Sequence, residues 1–281
     1  MDLVVHPADV AEWSASARLQ GFSIGFVPTM GALHEGHLEL LQKARSECDR
    51  VACSIFVNPL QFNDKRDLER YPRQQEADRQ KLEKAGCHML FIPEYEGVYK
   101  DHVTRTYDLG GLDRRWEGLS RPGHFQGMAN VVERLFFYVR PDRAYFGEKD
   151  RQQLAIVKHL ARSLRWPEEI VGCPTRREPD GLAMSSRNAL LTREERVVAP
   201  VVYRSLHRAA AMAFSAPVKE VVQAAHAVLA AEPLFSTDYL AVVDADSLEP
   251  LADWGDRQEA VALVAVRLGA VRLIDNVTLR R

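Results

Sequence analysis

Two histidines three residues apart, His34 and His37, stand at the end of the stretch Phe-Val-Pro-Thr-Met-Gly-Ala-Leu-His-Glu-Gly-His. Imidazoles donate hydrogen bonds and carry charge when protonated, so two on one helical face can bind phosphate oxygens. Gly31 and Gly36 let the backbone bend tightly and approach a ligand closely. A buried strand, a tight turn and a helix N-terminus with its own N–H donors therefore predict a polyphosphate site.

Two other interpretations of this histidine pair stay open. The pair would be half of a zinc site if more His or Cys residues stood at ligand spacing, but the sequence has no such cluster. The pair would otherwise be ordinary surface residues at a helix cap. The glycines and the preceding strand favour phosphate binding, although His37 stands where a P-loop has its lysine.

Polar residues follow a second apolar strand in the segment Asn-Pro-Leu-Gln-Phe at 58–62. The amides of Asn58 and Gln61 can hydrogen-bond hydroxyls or a carboxylate. Pro59 would equally fix a plain turn, and spacing alone favours that turn.

Two further segments carry charge suited to a nucleotide. In Phe-Gly-Glu-Lys-Asp at 146–150, Lys149 would neutralise phosphate and Asp150 would accept from ribose hydroxyls. The alternative is a charged helix start with Asp150 as its cap. Met-Ser-Ser-Arg at 184–187 joins two hydroxyls to a guanidinium, which are the donors of a phosphate clamp, but this short segment alone is uninformative.

Composition limits the class of protein. The 281 residues are 46% hydrophobic and 27% charged with a net charge of −2, which predicts a large core and gives no general attraction to nucleic acid or an anionic membrane. No apolar run is long enough to span a bilayer, and the N-terminus lacks the features of a signal peptide. The four scattered cysteines are expected to be buried free thiols in a reducing cytoplasm.

Strand-like and helix-like runs alternate over the first 175 residues. The alternation predicts a Rossmann-like α/β domain with a parallel sheet and helices on both faces. Pro28 is expected to end the first strand. Pro28, Asn58 and Gly147 each follow a strand, so their loops should lie at one rim of the sheet. Strands are predicted at 22–27, 51–57, 89–92, 144–146 and 169–173, and helices at 36–49, 68–85, 127–139 and 151–164.

The pattern changes near residues 174–181. Thr192 and Glu195 form a predicted capping box for a helix that runs toward Phe214, and a second helix is expected at 218–231. Strands are predicted at 239–243, 260–268 and 272–277. The expected division is therefore a first domain at 1–175 and a smaller C-terminal α+β domain at 176–281.

Together these motifs resemble the pantothenate synthetase (pantoate–β-alanine ligase) family. The matching stretches are residues 26–37, 58–62, 121–125, 146–150, 152–154, 181–188 and 272–276. The resemblance implies ATP-dependent condensation of pantoate with β-alanine through pantoyl adenylate, with release of pyrophosphate and AMP. It also implies a cytoplasmic homodimer whose second domain closes over the nucleotide as a lid, with no nucleic acid or membrane partner.

The resemblance also implies a role for each matching residue. The catalytic residues would be His34, His37, Lys149 and Arg187. ATP would be bound by Met30, Gly31, His34, Gly36, His37, Gly147, Glu148, Lys149, Asp150, Arg176, Met184, Ser185, Ser186 and Arg187. Pantoate would be bound by Met30, Gln61, Phe62 and Gln153. Mg²⁺ would bridge the triphosphate, with Asp78 as a candidate to assist it.

Two alternatives to this function are considered. His-x-Gly-His alone is shared with a wider superfamily of adenylyl-transferring enzymes, but another member would not need Gln61 and Gln153 as a pair. A non-catalytic ATP-binding regulatory module would have no need of Lys149 and Arg187 together with both histidines.

Overall fold

A computed structural model describes all 281 residues, which form two compact units. The first unit comprises Met1–Gly147 and Gln153–Cys173, and the second comprises Glu148–Gln152 and Pro174–Arg281. The expected domain division near residue 175 therefore differs from these units in the segment Glu148–Gln152, which groups with the C-terminal part of the chain. No helix combines the length and apolar character needed to cross a membrane.

The first unit contains one six-stranded sheet and its helices. The strands are β1 (Asp2–Val4), β2 (Ile24–Thr29), β3 (Arg50–Ile55), β4 (Met89–Phe91), β5 (Arg143–Gly147) and β6 (Glu169–Cys173). The helices are α1 (Pro7–Leu19), α2 (Glu35–Glu47), α3 (Lys65–Arg70), α4 (Gln75–Lys84), α5 (Tyr95–Tyr99), α6 (Glu117–Ser120), α7 (His124–Val139) and α8 (Arg151–Ser163), whose first two residues belong to the second unit. Short 3-10 helices occupy Pro59–Gln61 and Leu112–Arg114, and another at Glu148–Asp150 belongs to the second unit.

Every pairing in this sheet is parallel, and the strand order is β1-β4-β3-β2-β5-β6. The predicted parallel sheet is confirmed. The chain proceeds from β2 through β3 to β4 in one direction and from β5 to β6 in the other, so the order reverses between β2 and β5. Ligands of open α/β sheets bind outside the carboxyl ends of the strands at such a reversal.

Helices cover both faces of this sheet, as alternate residues of β2 show. Phe26 makes an edge-to-face contact with Phe136 of α7, with ring centroids 6.3 Å apart. Val27 instead belongs to a buried cluster that includes Leu41 of α2 and Leu82 of α4. Successive side chains of a strand point to opposite faces, so α7 lies on one face and α2 and α4 on the other.

Pro28 does not end the first strand, contrary to the sequence prediction, because β2 continues to Thr29. The carbonyl of Thr29 accepts a hydrogen bond from the N–H of Phe56, so Thr29 faces β3. The backbone of Pro28 then faces β5, where pairing has already stopped at Phe26. The missing N–H of proline therefore removes no bond from the sheet.

The predicted helix at 68–85 is two helices, α3 and α4. Proline disfavours helical backbone angles in the residue before it, and Tyr71, which precedes Pro72, is extended with φ −62° and ψ 126°. The sequence pattern also missed β1 and α1. β1 has only three residues, and α1 has no marked apolar face because only Val10, Ser14 and Ala17 are buried.

The second unit packs helices against a three-stranded antiparallel sheet. Its strands are β7 (Phe235–Val243), β8 (Glu259–Leu268) and β9 (Val271–Arg280), in that order. Its helices are α9 (Arg193–Val198), α10 (Val201–Met212) and α11 (Val218–Ala230), with a 3-10 helix at Ser186–Leu190. The predicted capping box is confirmed at the start of α9, where Thr192 and Glu195 bond reciprocally.

The four cysteines are free and buried, as expected. Burial raises the pKa of the Cys53 thiol well above its usual value and raises the pKa of Cys87 to about 12. The thiolate is the nucleophile and metal ligand, so these two thiols are unreactive core residues.

Helix α7 lies so close to the 3-10 helix at Pro59–Gln61 that Gly127 has no room for a side chain. A Cβ on Gly127 would stand 2.0 Å from the carbonyl oxygen of Leu60 and 2.7 Å from the backbone nitrogen of Gln61. The close approach is a backbone-to-backbone contact, so no side-chain rotation can relieve it.

Gly127→Ala is therefore expected to lower the free energy of unfolding by about 1–3 kcal/mol, the usual cost of overpacking. This clash outweighs the gain of about 1 kcal/mol that alanine brings to a helix. The control is Gly97→Ala in α5, where the nearest atom to a new Cβ is 3.5 Å away. Urea denaturation of both variants measures the difference, and equal stability of the two would contradict the close-packing argument.

Candidate active site

The turn between β2 and α2 is fixed by side chains from outside the turn. The buried carboxylate of Asp78, on α4, accepts the N–H of Ala32 at 2.7 Å and the N–H of Leu33 at 2.8 Å. Lys81, one helical turn later, donates to the carbonyl of Leu33. The hydroxyl of Thr29 accepts the N–H of Gly31 at 3.1 Å. Three consecutive backbone N–H groups are thus held in one arrangement.

Two consecutive residues of this turn adopt left-handed backbone angles. Gly31 has φ +83° and Ala32 has φ +52°. A Cβ on Gly31 would lie 3.2 Å from an oxygen of Asp78, so a side chain would press on the carboxylate that holds the turn. Alanine rarely adopts positive φ, and the two hydrogen bonds from Asp78 to this turn stabilise that conformation.

His34 and His37 each use Nδ1 to accept a backbone N–H at the start of α2. Nδ1 of His34 accepts from Gly36 at 3.2 Å, and Nδ1 of His37 accepts from His34 at 3.3 Å. The two rings lie side by side, with centroids 4.1 Å apart. A neutral imidazole that accepts at Nδ1 carries its proton on Nε2. The capping bonds therefore make both histidines Nε2–H donors.

Gln61 and Met30 lie together although thirty residues separate them in the sequence. Nε2 of Gln61 is 2.9 Å from the sulfur of Met30, and Oε1 accepts from Asn58 at 3.3 Å. The phenol of Tyr99 donates to Oδ1 of Asn58 at 3.0 Å. Burial raises the pKa of this phenol, so it stays protonated and keeps Asn58 oriented.

His124, the first residue of α7, is buried and contacts the same segment. Its Nδ1 lies 2.7 Å from the carbonyl oxygen of Gln61, and its Nε2 lies 3.1 Å from the guanidinium of Arg121. The motif Arg-Pro-Gly-His-Phe at 121–125 received no role from the sequence alone. The structure gives its histidine one, because a hydrogen bond to this carbonyl fixes the backbone that carries the Gln61 side chain.

Phe62 and Gln153 are the other two predicted pantoate contacts. Phe62 is half-buried and meets Tyr71 edge to face at 5.8 Å. Gln153 is half-buried in the first turn of α8, and no hydrogen bond joins it to Gln61.

The remaining predicted ATP contacts belong to the second unit, apart from Gly147 at the end of β5. Glu148, Lys149 and Asp150 form a single 3-10 turn, in which Lys149 is half-buried and Asp150 exposed. The other predicted segment, Met184–Arg187, directly follows an isolated antiparallel bridge between Arg177 and Ala183.

A hairpin leads into the Ser-Ser-Arg segment of this unit. Met184 donates its N–H to the carbonyl of Arg176 at 2.9 Å. Ser185 then caps the 3-10 helix at Ser186–Leu190 by accepting the N–H of Arg187 at 3.2 Å. The hairpin and the cap together fix the backbone that carries both serines and Arg187.

The geometry argues against Asp78 as a magnesium ligand. Both of its oxygens accept backbone N–H groups at short distance, and burial leaves the carboxylate no exposed surface. No group of three or more His, Cys, Asp and Glu residues could hold a metal ion, so the zinc interpretation of the histidine pair lacks further ligands as well.

Comparisons with known proteins agree on one family. The family model for pantoate-beta-alanine ligase matches residues 2–278. The chain belongs to the pantoate–β-alanine ligase family. It is 46% identical over 277 residues to the pantothenate synthetase of Porphyromonas gingivalis, covering 99% of each chain.

Two solved structures of this family superpose along the whole chain. The crystal structure of pantothenate synthetase from Thermus thermophilus has a TM-score of 0.92 and 48% identity, and the comparison covers 99% of each chain. The pantoate-beta-alanine ligase of Francisella tularensis, complexed with beta-gamma ATP and beta-alanine, has a TM-score of 0.81 and 34% identity over 99% of this chain and 97% of that one. The fold of this ligase family is therefore the fold of this chain.

Asp78→Asn is expected to lower the free energy of unfolding by about 1–3 kcal/mol, because the amide would turn an N–H₂ group toward one backbone N–H of the turn. The displaced turn should also slow ATP–pyrophosphate exchange, a measure of acyl-adenylate formation, about tenfold. Thermal unfolding and the exchange rate are measured on the same preparation.

Asp49→Asn is the matched control for Asp78→Asn. Asp49 accepts the N–H and the hydroxyl of Ser23, just before β2 begins and so at the opposite end of the strand from the turn. This variant should lose some stability and keep the wild-type exchange rate. If both variants reduced exchange equally, the turn would not be the reason.

Proposed function

We propose that this chain joins pantoate to β-alanine in an ATP-dependent reaction that passes through pantoyl adenylate. The observation that carries the proposal is the pair of Nε2–H donors, His34 and His37, at the reversal of strand order in a chain of the pantoate–β-alanine ligase family. Such a pair suits a nucleotide phosphate, and the polar cluster at Gln61 suits a small hydroxy acid.

The first half-reaction makes a carboxylate reactive. An oxygen of the pantoate carboxylate forms a bond to the α-phosphorus of ATP, and the bond from that phosphorus to the bridging oxygen breaks, so pyrophosphate leaves. Charge spreads over the phosphate oxygens as this happens, and positioned donors stabilise it. His34, His37, Lys149 and Arg187 are the proposed donors, with Ser185 and Ser186 as further phosphate contacts.

The rest of ATP would be bound mainly by backbone and small residues. Gly31 and Gly36 leave space for phosphate beside the histidine turn. Gly147 and Asp150 are proposed for the ribose, with Glu148 beside them. The backbone at Arg176 and Met184 is proposed for adenine, which agrees with the exposed side chain of Arg176.

Pantoate would be bound by the cluster around Gln61. The amide of Gln61 is held by Asn58 and Met30, so it can exchange these weak bonds for the hydroxyls of the substrate. Met30 and Phe62 would contact the two methyl groups, and Gln153 would donate a second amide. An amide pair of this kind selects a hydroxy acid over an acid that lacks hydroxyls.

The second half-reaction forms the amide bond. The neutral amine of β-alanine bonds to the acyl carbon of pantoyl adenylate, the bond to the phosphate oxygen breaks, and AMP leaves with a proton released to solvent. Water would destroy the adenylate, so a site that excludes it is needed. Closure of the C-terminal unit over the nucleotide is the proposed means.

Magnesium is proposed to enter as part of the substrate, bound to the phosphates of ATP. Mg²⁺ usually keeps several waters and relies on substrate phosphates rather than on a protein cage. That behaviour agrees with the backbone bonds that occupy Asp78. A cytoplasmic location and a homodimer complete the proposal, both on family resemblance.

The protein is expected to catalyse ATP–pyrophosphate exchange with Mg²⁺ and pantoate and without β-alanine. Exchange of labelled pyrophosphate into ATP reports adenylate formation alone. Exchange that required another acid would overturn the proposed substrate, and ATP binding without any exchange would favour a regulatory module.

Substitutions at His37 make a control for this measurement. His37→Gln keeps an N–H donor near the position of Nε2, whereas His37→Asn keeps a polar atom only near Nδ1. The loss of one transition-state donor costs about 10²–10³ in rate, so Asn should lose far more exchange activity than Gln. Equal rates would remove the proposed role of Nε2–H.

Gln61→Ala is expected to raise the KM for pantoate about tenfold or more and to leave the KM for ATP nearly unchanged, because the amide is proposed to contact only pantoate. Initial exchange rates with each substrate varied in turn give both constants. Gln80→Ala serves as the control, because Gln80 lies on α4 and is exposed. A parallel rise in both constants would indicate a structural role instead.

A further inference from the structure

Asn276, on β9, holds the backbone on both sides of Lys149. The residue is 5% exposed, and its Nδ2 donates to the carbonyl of Glu148 at 2.9 Å and to the carbonyl of Lys149 at 3.0 Å. Both hydrogens of the amide are therefore used on consecutive carbonyls. The neighbouring Arg151 donates to the carbonyl of Ala245 at 3.1 Å, which anchors the segment a second time.

Asp275, the preceding residue, holds the hairpin at Arg177. Two guanidinium nitrogens of Arg177 donate to the two carboxylate oxygens of Asp275 at 2.7 and 3.1 Å. Arg177 also donates to the carbonyls of Gly181 and Asn276, each at 3.1 Å. The Asp275 side chain is 3% exposed, and the guanidinium lies over the ring of Tyr203.

Adjacent residues of one strand thus reach two segments that are far apart in the sequence. One is the turn that carries Lys149, and the other is the hairpin that continues into Met184–Arg187. The motif Arg-Leu-Ile-Asp-Asn at 272–276 had no function assigned from the sequence. All of these contacts lie within the second unit.

We infer that Asn276 and Asp275 are positioning residues for adenylate formation. From adjacent positions on β9, they hold Lys149 and the Ser-Ser-Arg segment at a fixed separation. The inference rests on the proposed function, because it requires Lys149 and Arg187 to meet the phosphates of ATP. Two flexible cations on independent loops would pay a large entropic cost to bind one triphosphate. Because residues of one strand hold the backbone of both segments, that entropic cost is smaller when ATP binds.

A buried polar network can also be purely structural, and the experiment separates the two roles. A structural defect reduces the fraction of active protein by the same factor whether or not Lys149 is present. A positioning defect acts through Lys149, so it disappears when Lys149 is already lost. The cycle therefore consists of the wild type, Asn276→Ala, Lys149→Ala and the double variant.

Asn276→Ala is expected to slow pantoate-dependent ATP–pyrophosphate exchange about tenfold or more, with the KM for pantoate unchanged, since a displacement of about 1 Å costs up to about 10²-fold. Lys149→Ala should slow exchange about 10²-fold. The double variant should be no slower than Lys149→Ala alone. Rates that multiply in the double variant would overturn the positioning role.

Trp254→Phe is the matched structural control. The indole N–H of Trp254 donates to the carbonyl of Ala216 at 2.7 Å, so this change also leaves a backbone carbonyl of the second unit without its side-chain donor. It should lower the melting temperature and keep the exchange rate. If Asn276→Ala does not fold, Asn276→Leu takes its place in the cycle, because it keeps the approximate size of the side chain, removes the N–H donors and adds no charge.

The outcomes separate this inference from the proposed function. If the wild type shows no pantoate-dependent exchange, the proposed function falls and the inference falls with it. If Lys149→Ala exchanges at the wild-type rate, Lys149 has no role, so the positioning inference falls although the proposed reaction stands. If Lys149→Ala is slow and Asn276→Ala is as fast as wild type, the function stands and the positioning role falls. A slow Asn276→Ala whose effect vanishes in the Lys149→Ala background supports both.

Discussion

The turn between β2 and α2, which leads to His34, depends on two hydrogen bonds that its backbone donates to the carboxylate of Asp78. A turn with two consecutive left-handed residues exposes backbone N–H groups that no regular element satisfies, and Asp78 accepts two of them. Helix α2 begins directly after this turn, at Glu35, with His34 as its cap. The carboxylate that the family resemblance made a candidate to assist Mg²⁺ is thus hydrogen-bonded to the backbone of this turn.

The position of the ring proton in His34 and His37 follows from this geometry. Each histidine accepts a backbone N–H at Nδ1, so its proton is placed on Nε2. Backbone N–H groups at the helix N-terminus, donated to Nδ1, orient both rings. Backbone N–H groups at a helix N-terminus also favour a bound anion, which suits the proposed phosphate site.

The sequence predicted those parts of the fold that local pattern controls. Apolar runs located five of the six parallel strands, and the Thr192–Glu195 spacing located the start of α9. The sequence pattern gave the wrong prediction where a neighbouring strand determines the backbone conformation. Pro28 remains in a strand because β5 stops pairing two residues earlier, a fact that belongs to the sheet and not to the proline.

The candidate site shows the same limit. Motif spacing predicted a phosphate role for His34 and His37, whereas at Gln61 spacing alone favoured a plain turn and the family resemblance supplied the expected role. It could not give roles to His124 or Asn276, since each acts on a carbonyl more than sixty residues away in the chain. Side chains that hold backbone leave no local signature, and resemblance to a family marks such positions without explaining them.

The membership of Glu148–Gln152 in the second unit has a consequence for how the chain can be divided. A fragment that began at Pro174 would contain Asn276 but not the two carbonyls that accept its hydrogen bonds, and Ala245 would lose the guanidinium of Arg151. The C-terminal unit is therefore built from two separate stretches of the amino-acid sequence. During synthesis the segment Glu148–Gln152 leaves the ribosome well before β9, so its two carbonyls meet the Asn276 donor only after β9 has been made.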